Sequence, residues 1–231
     1  MKTIGLIGGM SWESTVPYYR LINQAVAARL GGLHSARLVL YSVDFHDIER
    51  LQCAGDWQAA GAMLAQAARA LERAGADFLV LCTNTMHKVA VDIEAAVAIP
   101  LLHIADPTAA QIKRAGHTRV GLLGTRFTME QAFYRERLSQ RHGLAVIVPD
   151  AAERDTVHRI IYEELCLGRV LPESRQAYQR VMASLVAQGA QSIILGCTEI
   201  SMLVCDEDAS VPLVDTTALH AHAAAEAALA A

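Results

Sequence analysis

The residues Gly196, Cys197, Thr198 and Glu199 set a thiol, a hydroxyl and a carboxylate side by side, directly after the apolar run Ile193-Ile194-Leu195. A similar run, Phe78 to Leu81, ends in Cys82-Thr83-Asn84-Thr85. Short apolar runs that stop abruptly in small polar residues are the pattern of buried parallel strands, which deliver functional groups at their carboxyl ends. Cys197 is expected at the start of a helix, where the dipole and free backbone N–H groups favour a thiolate. That help matters because an unperturbed thiol is only slightly ionised at neutral pH. Two proton-exchanging groups facing each other across a small ligand are what inversion at a carbon centre requires. One removes a proton from one face and the other supplies a proton to the opposite face. Hydrogen bonds from Asn84, Thr85 and Thr198 would stabilise the carbanion between the two steps, so no cofactor is needed.

Alternating strands and helices must position these groups. Lys2 to Gly9 reads as a strand entering a Gly-rich turn, with Ser11 capping a helix that carries Tyr18, Leu21, Ile22, Val26 and Leu30 at helical spacing. Ala36 to Val43 is a second strand with a polar end at Asp44 to Asp47. A long Ala-rich helix from Trp57 to Arg73 stops at Gly75, a strand from Asp77 to Cys82 follows, then a helix from Thr85 to Ala96 and a strand from Ile99 to His103. This regular alternation predicts βαβ units and a parallel sheet.

The pattern then begins again. Thr118 to Gly124 repeats Thr3 to Gly8, with Gly121 and Gly124 falling on Gly5 and Gly8. The Gly75-Ala76 pair returns as Gly189-Ala190, and Ile99-Pro100-Leu101 as Val211-Pro212-Leu213. Under the Gly-Ala displacement, without a gap, Thr83 falls on Cys197, Asn84 on Thr198 and Thr85 on Glu199. The repeat points to an internal duplication, and with it an α/β fold of two pseudo-symmetric domains. Each would be a parallel sheet flanked by helices, with the active site in the interdomain cleft, outside the carboxyl ends of the strands. The expected lobes are 1–100 with 213–231, and 101–212; the Ala-rich helix from Thr216 to Ala231 would return to the first lobe.

Composition narrows the function classes. At 231 residues, with 53% hydrophobic, 19% charged and 5% aromatic residues, the chain has the balance of an α/β enzyme. A formal charge of -4 gives no reason to expect nucleic acid or membrane partners. The amino terminus opens straight into an apolar strand without the layout of a secretion signal, and five scattered cysteines without CxxC spacing suit free thiols in a reducing cytoplasm. Gly5, Gly8 and Gly9 do not form the dinucleotide fingerprint; they would let backbone approach a small carboxylate, with Met10 beside it. His220 and His222, two apart, do not share a helix face, so a surface role is expected and no metal site.

In its combination of motifs the chain resembles the cofactor-independent aspartate/glutamate racemase superfamily. The matching stretches are Gly5 to Met10, Thr83-Asn84-Thr85, Gly124-Thr125 and Gly196 to Glu199, and the resemblance spans essentially the whole chain. It implies a cytoplasmic homodimer acting on a small amino acid, with one acid/base group from each domain. By that likeness Thr83 and Cys197 are the catalytic pair, and Met10, Gln52, Asn84, Thr85, Thr125 and Thr198 bind substrate. The family's first motif carries cysteine where this chain has Thr83. Either Thr83 serves, as in an atypical bacterial subgroup with threonine there, or the neighbouring Cys82 does, although strand alternation would point Cys82 to the other face. Acidic-substrate members also place a cationic side chain after the second strand, where this chain offers Arg50 and Gln52, and a lysine where this chain reads Cys166. Looser specificity, or another anchor, is implied. Two other functions stay open: a single-cysteine decarboxylase or isomerase of the same superfamily, and a ligand-binding protein without turnover.

Overall fold

The computed structural model describes residues 1–230; Ala231, the last residue of the expected closing helix, lies outside them. The chain divides into two compact units, Met1–Ile104 with the segment beginning at Thr217, and Ala105–Thr216.

The first unit is built from β1 (Ile4–Gly8), α1 (Trp12–Leu30), β2 (Leu38–Ser42), α2 (Phe45–Ala54), α3 (Trp57–Arg73), β3 (Phe78–Leu81), α4 (Ala90–Glu94) and β4 (Leu101–Leu102). Its sheet is parallel throughout, in the order β2-β1-β3-β4. In the second unit α5 (Ala105–Arg114) leads to β5 (Arg119–Gly124), α6 (Arg126–Glu130), α7 (Ala132–Glu136), β6 (Ala145–Ile147), α8 (Ala151–Glu163), α9 (Pro172–Ala187), β7 (Ser192–Gly196) and β8 (Leu213–Asp215). That sheet is also parallel, in the order β6-β5-β7-β8. The first sheet's topology is thus repeated strand for strand. α10 (Thr216–Leu229) packs into the core of the first unit, where Ala221, Ala224, Ala225 and Ala228 meet Tyr18, Ile22 and Val26 of α1.

Burial explains the apolar runs. β1, β3 and β7 are buried at every position because helices cover both faces of their sheets. Alternation in β3 sends Phe78 and Val80, with Cys82 beyond, to the α1/α10 side, and Leu79 and Leu81 to the α3 side. α3 buries Ala60, Leu64, Ala67, Ala68 and Leu71, spaced along one helical face, and Asp56 caps it by accepting from the Ala59 N–H at 2.9 Å.

Local expectations diverge from the structure at several points. Ser11 occupies the N-cap of α1 without a side-chain cap hydrogen bond; its carbonyl instead accepts from the hydroxyls of Ser14 and Thr15. Asp44 begins a further helix, α2, rather than only ending a strand, because its carboxylate caps the His46 N–H at 3.0 Å. The expected helix from Thr85 to Ala96 is a 3₁₀ segment, Thr85–Val89, followed by the five residues of α4. His220 is fully buried rather than at the surface: its Nε2 donates to the Leu102 carbonyl at 2.8 Å and its Nδ1 accepts from Tyr18 Oη at 2.9 Å. His222 is exposed. Finally, the break between units falls after Ile104 and after Thr216, rather than at 100 and 212. The reason is hydrogen bonding: β4 pairs with β3, and β8 with β7.

Candidate active site

In the first unit most of the candidate residues gather at the carboxyl ends of β1 and β3, which are adjacent strands. Beyond β1 the chain turns sharply at Gly9, which has φ +91°. A β-carbon there would stand 2.3 Å from the Val43 carbonyl oxygen, and one on Gly8 would meet the Thr15 methyl at 2.5 Å. These glycines therefore allow backbone to pack closely against protein. The turn is tied by the Gly9 N–H, which donates to Thr15 Oγ1 at 2.9 Å, and Thr15 in turn donates to the Ser11 carbonyl. Met10, buried after this turn, belongs to the same apolar cluster as Met86, Ile48 and Leu81. Gln52 of α2 is buried as well, its amide donating to the Met86 sulfur at 3.0 Å, while Arg50 is exposed.

Thr83, Asn84 and Thr85 follow β3 and are all buried. Thr83 is 7% exposed. Its carbonyl accepts from Nδ1 of His87 at 2.7 Å. Cys82 is fully buried in the core beneath α1 and α10. Burial pushes its thiol far above the ordinary range, and its Sγ is directed at the Val80 carbonyl. Of the two expected alternatives, Cys82 is a core side chain on the opposite face of the strand.

In the second unit the corresponding residues lie at the ends of β5 and β7, where Gly124 pairs with Gly196. Thr125 caps α6, its hydroxyl accepting from the Thr128 N–H at 3.3 Å. Cys197 comes directly after β7 and is 8% exposed. No long helix begins there: the chain enters a 3₁₀ turn of three residues, Ile200–Met202. The expected dipolar stabilisation of a thiolate is therefore replaced by a different environment. Cys197 Sγ donates to Glu199 Oε2 at 2.9 Å, and Thr198 Oγ1 donates to the same oxygen at 2.8 Å. Burial, then the Glu199 charge, then Cys166 raise the Cys197 thiol well above its usual range. Burial and Glu199 raise Cys166 too.

This arrangement holds Cys197 as a thiol against a carboxylate that is itself only 2% exposed. Any base function of Cys197 requires the proton to leave sulfur, and Glu199 is a group in hydrogen-bond reach of it. Glu199 was legible in the sequence only as part of the Gly-Cys-Thr-Glu stretch; its role comes from the backbone turn that folds it back onto residue 197. A charge-neutral replacement should reveal the coupling. In Glu199→Gln the Cys197 thiol should titrate at lower pH, because the anion that opposes ionisation is gone while burial remains. Peptide-resolved alkylation rates measured across pH would read this, and an unmoved titration midpoint would remove Glu199 from the account.

The register connects the two sites. Ile7 pairs with Leu81 in the first sheet, and Leu123 with Leu195 in the second. Thr83 stands two residues beyond Leu81, and Cys197 two beyond Leu195. A hydroxyl and a thiol therefore occupy the same topological position in two copies of one α/β design, each among small polar residues at the carboxyl end of its sheet.

Fold and site together define a duplicated α/β enzyme with a buried hydroxyl or thiol just beyond the third strand of each half. The chain belongs to the Asp/Glu/Hydantoin racemase family, whose model matches residues 7–224, and it is an isomerase of the amino-acid racemase type. It is 65% identical to a candidate Asp/Glu racemase from Yersinia pestis, whose crystal structure it matches with a TM-score of 0.92 over 100% of both chains. It is 34% identical to an aspartate racemase homologue from Pyrococcus horikoshii OT3, with a TM-score of 0.84 over 99% of each chain. It is also 26% identical to the broad specificity amino-acid racemase RacX of Bacillus subtilis (strain 168), over 93% of both sequences.

Proposed function

We propose that this protein interconverts the enantiomers of an amino acid without a cofactor, and that Thr83 and Cys197 are its two proton-exchanging groups, each serving one face of the substrate Cα. The observation that carries this reading is the register: residues 83 and 197 are equivalent positions in two copies of the same sheet. In one direction the Cys197 thiolate, its own proton having passed to Glu199, removes the Cα proton and becomes a thiol. The carbanion then takes the hydroxyl proton of Thr83 on its other face. The reverse direction returns both protons. Amide and hydroxyl groups of Asn84, Thr85, Thr125 and Thr198 hold the substrate and its developing negative charge, with Met10 and Gln52 lining the side-chain end.

The substrate class proposed is aspartate- or glutamate-like with tolerance for other side chains. Relatives described as an aspartate racemase homologue and as a broad specificity amino-acid racemase support this. The cysteine at 166, where acidic-substrate members carry lysine, favours the looser specificity. Incubation of single enantiomers in deuterated water, without added cofactor, tests the reading: inversion with deuterium at Cα is expected. Loss of carbon dioxide from malonates would transfer the protein to the decarboxylases, and binding without exchange would make it a sensor.

A homodimer in the cytoplasm belongs to the same reading. Trp12, Val16 and Tyr19 stand on one face of α1 and are each more than half exposed, at 63%, 57% and 57%. Light scattering should return twice the chain mass of 24.9 kDa; a single-chain mass would end this part of the proposal.

A further inference from the structure

We infer that His87 is a positioning residue for Thr83, its imidazole acting as an inserted rung that fixes the backbone carrying the hydroxyl. The inference rests on the proposed role of Thr83 and adds a residue that takes no part in proton exchange itself.

Partner chemistry fixes the state of the ring. Nδ1 lies 2.7 Å from the Thr83 carbonyl, which can only accept, so Nδ1 carries the hydrogen. Nε2 receives the Ile104 N–H at 3.2 Å, and a backbone N–H can only donate, so Nε2 is the bare acceptor. The ring is thus a neutral Nδ1–H tautomer held between two backbone groups. His87 is 3% exposed, and the rings of His103 and His220 lie 4.3 and 6.0 Å away, centroid to centroid. His220 is fixed in turn by Leu102 and Tyr18.

The sheet explains why such a rung is needed. The β3–β4 ladder has only the pairs Leu79–Leu101 and Val80–Leu102. Beyond it, among the described residues, no strand pairing joins residues 83 and 104. The imidazole crosses that gap, from the Thr83 carbonyl to the Ile104 amide. It also accounts for the 3₁₀ geometry of Thr85–Val89. In an α-helix the Thr83 carbonyl would accept from the His87 N–H. Here the side chain of His87 takes that carbonyl, and its N–H turns to the Asn84 carbonyl at 3.1 Å. One residue therefore decides both where Thr83 is held and how the chain leaves it.

Two substitutions test this. His87→Phe keeps a ring of similar size and removes both nitrogens. His87→Asn restores a donor near the Nδ1 position. Inversion should fall about tenfold or more in His87→Phe, since small displacements of a reacting group are costly, with KM little changed. Deuterium exchange with retention, which needs Cys197 alone, should persist, and His87→Asn should recover much of the inversion. In the wild-type protein, long-range ¹H–¹⁵N NMR should report the Nδ1–H tautomer. Undiminished inversion in His87→Phe would overturn the inference. So would a parallel loss of retention exchange, an Asn variant as impaired as Phe, or an Nε2–H tautomer. A wild-type protein that catalyses no exchange fails the racemase reading itself; a defect confined to the variants speaks only to His87.

Discussion

Cys197→Ala should abolish inversion, and with it the deuterium exchange of the enantiomer whose Cα–H faces residue 197. The expected loss is at least about 10²–10⁴-fold, the contribution of a positioned proton-transfer group. The size comes from the site: the thiol is the second unit's counterpart of Thr83, and its proton has a carboxylate acceptor 2.9 Å away. The fold should survive, because removing one sulfur from the end of a strand leaves the ladder from Val120 to Gly124 intact. Circular dichroism and the melting temperature serve as controls. A folded Cys197→Ala protein that still inverts its substrate would remove the thiol from the mechanism.

Thr83 yields the second large effect, with a more selective signature. A hydroxyl gives up its proton far less readily than a thiol, so the two half-reactions are unequal. Because two enantiomers are equal in free energy, kcat/KM must match in the two directions. The inequality therefore appears in kcat and KM separately, and in exchange without inversion. Thr83→Ala should lose inversion by a factor on the order of 10²–10⁴ while keeping retention exchange at the Cys197 face. Thr83→Cys should raise inversion and draw the two kcat values together. Cys82→Ala should keep most of the activity, since that side chain packs in the apolar core away from residue 83. Isotope exchange followed by chiral chromatography resolves all three. Inversion surviving in Thr83→Ala but lost in Cys82→Ala would hand the role to the neighbouring thiol, and unchanged directional kinetics in Thr83→Cys would refute the account of the asymmetry.

The reach of the sequence differs from element to element. The Ala-rich helix Trp57–Arg73 was legible from its run of alanines and the Gly75 that stops it, and the structure adds the Asp56 cap and the helical spacing of its buried face. The doubled sheet was legible through Gly5/Gly121 and the two Pro-Leu strand starts, since a parallel strand buried on both faces writes itself as an apolar run. Asp44 was less so: a single aspartate ends a strand or caps a helix with equal chemistry, and only the following turn decides.

At the site, the sequence by itself determined that a thiol and a hydroxyl occupy matching positions in two halves of an α/β chain. It did so because strand ends and their punctuation survive in the order of residues. Only the tertiary structure decided the state of those groups. A neighbour two residues away, Glu199, folds back to accept a hydrogen bond from the Cys197 thiol where a helix dipole was expected. His87 bridges Thr83 to Ile104, a residue from beyond the next strand. Ionisation and orientation depend on burial and on partners brought close by the fold, and linear spacing does not encode either.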